Sequence, residues 1–169
     1  MLPKVKKIIY ATGMGPGAPY VFRQALAMAR QFDAEIIAVS AIEPLSSFAQ
    51  SLVELHISHQ QSDEIHSQAR QQAKEQLRQR IERLCAKECS VDQQCSLQVS
   101  DILVEEGQSA QVVLRAAEQN DADLIVMGSH RHSAIGESML GTTTNKVLHS
   151  ATIPVLVVRI PDGYHEDGF

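Results

Sequence analysis

The chain has no tryptophan, and Phe, Trp and Tyr together make up only 4% of its 169 residues. A core of that length cannot then be built around aromatic rings and must come from Val, Ile, Leu and Ala. Cysteine is also scarce. Cys85, Cys89 and Cys95 are an odd number in one polar region, which excludes a fully paired disulfide framework. Their spacings, three and five intervening residues, fit no standard zinc motif. Basic residues do not predominate: 15 Lys and Arg against 20 Asp and Glu give a net charge of −5, which argues against a nucleic-acid-binding face. No apolar run reaches the length of a membrane span, and the basic start Met1–Lys7 has no signal-length apolar stretch behind it. The composition therefore points to a soluble cytoplasmic protein without membrane or nucleic-acid partners.

What is present is an alternation of β-branched runs and helical periodicities. Lys6–Ala11 reads as a first strand, broken by the turn Gly13–Gly17. Val21, Phe22, Ala25, Leu26 and Ala29 then recur at helical spacing through Ala18–Phe32. Ala34–Ser40 is a second strand, apolar enough to be buried on both faces. The Ser-, Gln- and His-rich stretch from Pro44 to Asp63 has no clear period. From Glu64 to Glu88 the residues Ile65, Ala69, Ala73, Leu77, Ile81 and Leu84 form the apolar stripe of a long polar helix. Leu97–Val104 follows as a third strand, with a bulge or an edge position expected at Ser100–Asp101. Ser109 suits an N-cap for a helix over Ala110–Gln119. Asp123–Met127, a helix over Thr142–His149 and a strand over Ile153–Arg159 complete the series, and a mobile tail is expected over 161–169.

This pattern implies an α/β fold with one doubly wound, five-stranded parallel sheet flanked by helices. Ligands in such sheets sit beyond the carboxyl ends of the strands, where strand order reverses. The ends of strands one and four would then share a crevice. The sequence at the second of these, Gly128-Ser129-His130-Arg131 running on to Gly141-Thr142-Thr143-Thr144, reads as a strand, a loop and a helix start that suits a phosphate. Arg131 stands where a second loop glycine would be expected. Its side chain would obstruct a close backbone approach, yet guanidinium is also a strong partner for phosphate. His130 and His132 flank it and read as solvent-facing. His56, His59 and His66 do not share one helical face, so a metal site there is not expected. No Gly-x-Ser-x-Gly elbow and no general base stands out.

Gly128-Ser129-His130-Arg131, Gly141-Thr142, Lys146-Val147-Leu148 and Ile153–Val158 resemble the C-terminal signature of the universal stress protein family. Val104–Gly107 and Asp121–Gly128 extend the likeness upstream, and the first strand, turn and helix agree with it. The resemblance implies a domain over 1–160 of the adenine nucleotide α-hydrolase-like type, with strand order 3-2-1-4-5 and a homodimer formed through the last strand, Pro154 to Arg159. One branch of the family binds ATP through Gly-x2-Gly-x9-Gly-Ser/Thr, and another lacks the motif. Here the pattern is Gly128-x2-Arg131-x9-Gly141-Thr142, and Gly13 stands where binders commonly carry an acidic residue. By family position, Gly128, Arg131, Gly141, Thr142 and Thr143 would meet the phosphates of ATP or AMP, with Mg accompanying ATP. Ala11, Thr12, Gly13, Ala41 and Met127 would line the nucleoside pocket. The expected function is regulatory nucleotide binding without strong catalysis. The alternative is a nucleotide-free dimeric module that docks a protein partner.

Overall fold

A computed structural model describes residues 2–13, 15–44, 46, 51, 59–89, 98–129, 140–164 and 166. Five strands, β1 (Lys7–Ala11), β2 (Glu35–Ile42), β3 (Val99–Glu106), β4 (Leu124–Gly128) and β5 (Val155–Val158), form one parallel sheet in the order β3-β2-β1-β4-β5. Four helices flank it: α1 (Ala18–Phe32), α2 (His59–Cys89), α3 (Ser109–Gln119) and α4 (Thr142–Ser150).

The sheet is covered on both faces because its central strands alternate between two cores. Ile8 and Tyr10 of β1, with Ile36, Ala38 and Val126, pack against Val21, Phe22 and Leu26 of α1 and Ile81 and Leu84 of α2. Ile9 and Ala11, with Ile37, Val39, Ile125 and Met127, face Val112, Val113 and Ala116 of α3 and Val147 of α4. A side-chain period of two thus sends every second apolar residue to opposite layers, as a doubly wound parallel sheet requires. Truncating a fully buried aliphatic residue such as Ile9 would cost roughly 2–5 kcal/mol.

The expected strand order and class are those observed, while several boundaries differ. β2 continues to Ile42 because its pairing with β3 extends to Ile42↔Glu106. The bulge expected at Ser100–Asp101 is present: Ile36 pairs with Val99 and Ile37 with Asp101, which leaves Ser100 as the extra residue on the edge strand. The long helix begins at His59 rather than Glu64. Its stripe docks through half-buried Leu77 and fully buried Ile81 and Leu84. Cys85 is half-buried on this helix, and burial pushes its thiol up to about 11, so it stays neutral. Much of the Leu45–Asp63 region, Cys95, His56 and the side chains of Cys89, His59 and His66 lie outside the described residues.

Candidate functional site: three helix N-termini around one crevice

β1 and β4 are neighbours at the centre of the sheet, with Ala11 paired to Met127. The chain leaves β1 toward α1 on one face and leaves β4 toward α4 on the other. Strand order therefore reverses between them, and the diverging loops open a crevice of about 840 Å³. That is the size of a small-ligand pocket. Ala11, Thr12, Gly13, Ala41 and Met127 line it, as do Gly128, Gly141, Thr142 and Thr143. Nine of the ten candidate site residues are thus brought together. The tenth, Arg131, lies outside the described residues, as do His130 and His132.

The crevice floor is rigid. Tyr10 is fully buried beneath it, donates its hydroxyl to the Ala18 carbonyl at 2.9 Å, and sits against Phe22 with ring centroids 5.3 Å apart. Burial holds the Tyr10 phenol neutral, its pKa well above the usual value. The Thr12 amide donates to Val39 O at 2.9 Å and the Ser129 amide to Val158 O at 2.8 Å, so both loops are tethered as they leave the sheet.

Three helices present their N-termini to this rim, and their first-turn amides are the natural anion donors. They are not equivalent. At α1, Ala18 N–H already donates to Gly15 O at 2.9 Å, and Pro19 in the second helical position has no N–H to offer. A Cβ built on Gly17, the N-cap, would overlap Ile160 Cδ1, so the Ile160 side chain lies directly on this helix end. At α3, the carboxylate of Glu43 accepts from Ser109 N at 3.2 Å and from Ser109 Oγ at 2.7 Å. Those bonds hold the Glu43 carboxyl below the usual carboxylate range, so this N-terminus carries an anion of its own. The expectation that Ser109 caps α3 is therefore corrected: Gln108 is the N-cap, in an extended conformation, and Ser109 is the first helical residue.

At α4 the N-cap is Gly141 and the first three residues are Thr142, Thr143 and Thr144. Their amides belong to a first turn that no helical carbonyl satisfies. Thr142 is exposed and Thr143 half-buried at the crevice. Thr144 is buried, and its Oγ1 donates to Gly128 O at 3.1 Å. Its hydroxyl is therefore committed to the end of β4 and ties the start of α4 to the crevice wall.

The glycines serve different ends from those their positions suggest. Gly141 has φ −59° and ψ 155°, extended backbone that any residue adopts. Gly128 sits in a tight place: a Cβ there would lie 3.0 Å from Val21 Cγ2 and 3.2 Å from Ile160 Cδ1, so both side chains would have to give way. A Cβ on Gly13 would meet nothing within 4 Å, so the crevice leaves room for a side chain there.

A model of the universal stress protein family matches residues 4–159. The chain belongs to the universal stress protein family. Universal stress protein A homolog 2 of Coxiella burnetii is 29% identical over 157 residues, 92% of this chain and 95% of that protein. A universal stress protein of Thermus aquaticus is 44% identical over 59 residues, and the match spans 35% of this chain and 43% of that relative's length. Among solved structures, MJ0577 superposes with a TM-score of 0.70 at 21% identity, covering 95% of this chain and all of that one. A universal stress protein solved in complex with cAMP superposes with a TM-score of 0.56 at 16% identity, over 94% of this chain and all of that one.

The universal stress protein fold thus accounts for the sheet and the crevice. Among the contributors to the crevice that the sequence does not announce are Tyr10 in its floor, Ser109 on its rim, and Ile160 and Tyr164 from the segment after β5. That segment was expected to be mobile from Pro161 onward. Tyr164 nevertheless packs edge-on against Tyr20 with ring centroids 5.2 Å apart, and Glu166 pairs with Arg23 at 3.0 Å. Among the described residues, no helix is long and apolar enough to cross a membrane.

Proposed function

We propose that the chain is a non-catalytic regulatory protein that binds an adenine nucleotide, ATP or AMP, in the crevice beyond β1 and β4. The observation that carries this reading is the donor accounting at the rim. The α1 end is covered by Ile160 and depleted by Pro19, and the α3 end is neutralised by Glu43. The α4 end, at Gly141–Thr143, lines the crevice with no carboxylate on it among the described residues, and would take the phosphates. Gly128, Gly141, Thr142 and Thr143 would hold them, with Arg131 assigned a supporting role by family position and Mg accompanying ATP. Ala11, Thr12, Gly13, Ala41 and Met127 would surround the nucleoside. A universal stress protein of the same fold was solved in complex with cAMP, which supports an adenine nucleotide as the ligand class.

The ionisable groups among the described lining residues are Tyr10, Asp162 and Tyr164. Backbone donors and hydroxyls outnumber acid–base groups there, which favours binding over catalysis. The β5 strand at the sheet edge, within Pro154–Arg159, is the proposed homodimer seam in a cytoplasmic protein. Isothermal titration with ATP and with AMP tests the reading. Saturable heat for either is expected, and no heat at millimolar nucleotide would sink it in favour of the second reading, a nucleotide-free dimer that docks a protein partner. That alternative is favoured by Gly13, which places no acidic group against a ribose.

A further inference from the structure

The segment after β5 lines the crevice on the α1 side and is fastened at three points. At its start, Ile160 presses on two of the glycines that border the crevice: a Cβ on Gly17 would lie 3.1 and 3.2 Å from Ile160 Cγ1 and Cγ2, besides overlapping Cδ1, and one on Gly128 would lie 3.2 Å from Cδ1. In the middle, a turn closed by Tyr164 N–H to Pro161 O at 3.1 Å, with Gly163 at φ +72°, lays Pro161–Tyr164 along the crevice wall. At its end, the Tyr164 ring rests on Tyr20, and its hydroxyl accepts from Arg23 at 3.0 Å and donates to Glu166 at 2.5 Å. Glu166 also receives Arg23 at 3.0 Å and Lys87 at 2.5 Å. Arg23 is held in turn by a two-point pair with Glu88 at 2.9 and 2.7 Å, so the anchor on α1 and α2 is fixed before the segment reaches it.

We propose that Ile160–Tyr164, latched through Tyr164 and Glu166, is a strap that forms the α1-side wall of the crevice and controls how readily a bound small molecule leaves it. With the strap docked the crevice still measures about 840 Å³, so the strap is a wall compatible with an occupant rather than a plug. Ile160 seals the α1 N-terminus, and the cluster of Arg23, Lys87, Tyr164 and Glu166 is the latch. The latch draws on ion pairs between elements far apart in the chain. Exposed pairs contribute little singly, but this one is a network around a carboxylate whose side chain is only 17% exposed. Local opening of such a segment is separable from global unfolding.

The strap stands without the nucleotide reading, while its effect on nucleotide rests on it. Two variants release it from opposite ends. Glu166→Gln removes the latch charge and leaves Arg23 paired with Glu88. Gly17→Ala, at a backbone conformation alanine accepts (φ −83°, ψ −4°), drives out the Ile160 side chain. Segment-resolved hydrogen exchange on the full chain is expected to show protection over 160–164 that falls about tenfold or more in both variants at nearly unchanged Tm. Stopped-flow dissociation of ATP is expected to be several-fold faster in both. Exchange over 160–164 that is unprotected in the native chain, or unaltered in both variants, overturns the strap. So does faster exchange with an unchanged ATP dissociation rate. A native chain that takes neither ATP nor AMP sinks the nucleotide reading alone. The wall is then judged on the amides of residues 15–18: faster exchange there in both variants supports it, and unchanged exchange overturns it.

Discussion

The N-termini of α3 and α4 open on the same crevice from the same face of the sheet, yet among the described residues only α3 is met by a carboxylate. Glu43, one residue beyond β2, supplies α3 with a carboxylate through Ser109. α4 begins with Gly141 and three threonines, one of which is turned inward to Gly128 O. A helix start is an anion site only in proportion to the donors that its own chain has left unused. By that measure α1 has committed Ala18 and lacks a donor at Pro19, α3 has committed Ser109 to a carboxylate, and among the described residues no carboxylate meets the first turn of α4.

The sharpest way to break the contrast is to give α4 the feature that disables α1. Thr143 occupies the second helical position, as Pro19 does in α1. Thr143→Pro is compatible with a first helical turn but deletes one amide donor. Losing a hydrogen bond to a charged phosphate costs about 1.5–3 kcal/mol, so ATP affinity should fall roughly ten- to hundredfold with the fold intact. Titration calorimetry beside a circular dichroism melt checks both halves.

A smaller effect is expected from the tether that aims α4. Thr144→Val keeps the shape and removes the bond to Gly128 O, leaving a half-buried carbonyl underserved, at a cost of about 1 kcal/mol. Urea unfolding should show the midpoint drop at unchanged slope. If stability is unaffected, the tether does not hold α4 in place.

The smallest effect lies at α3. Glu43 is exposed, so solvent screens its bonds and Glu43→Gln should lower stability by well under 1 kcal/mol. Its pH dependence has a definite sign. The folded-state pKa is depressed by Ser109, with Lys146 contributing, from an ordinary 4.5. The stabilisation is therefore fully present above pH 4.5 and lost as pH falls below it. Native and variant melts should differ at pH 7 and converge in acid. Glu166 obeys the same rule: Lys87, Tyr164 and Arg23 bring its carboxyl down to about 2, so the strap's ion pairs persist through mild acid and fail only as pH approaches that value.

How much of this was legible in the sequence follows the range of the interactions. The layers were readable because apolar residues alternate locally in β1, β2 and β4, the doubly wound class followed from the βα pattern, and the strand order from the family likeness. Ends of elements were less so. The extension of β2 to Ile42 depends on a partner strand more than 60 residues away, and Ser109 looked like a cap because nothing nearby revealed that Glu43 would take its hydroxyl. The strap was illegible for the same reason: Arg23 and Glu166 are 143 residues apart, and a Gly- and Asp-bearing tail gives no local sign of docking. The crevice lay between. Its position could be read from strand ends and glycines, but its chemistry rests on which amides remain unspent, and that is a property of the folded chain.

The central claim is that anion capacity resides at α4 and not at α1 or α3. Backbone amide shifts recorded while the native chain is titrated with ATP test it most directly. The account predicts saturable shifts concentrated at Gly141, Thr142, Thr143 and Thr144, with Gly17, Ala18 and Ser109 much less affected. Shifts concentrated at Gly17, Ala18 and Tyr20 or at Ser109, with Gly141–Thr144 unmoved, would contradict it.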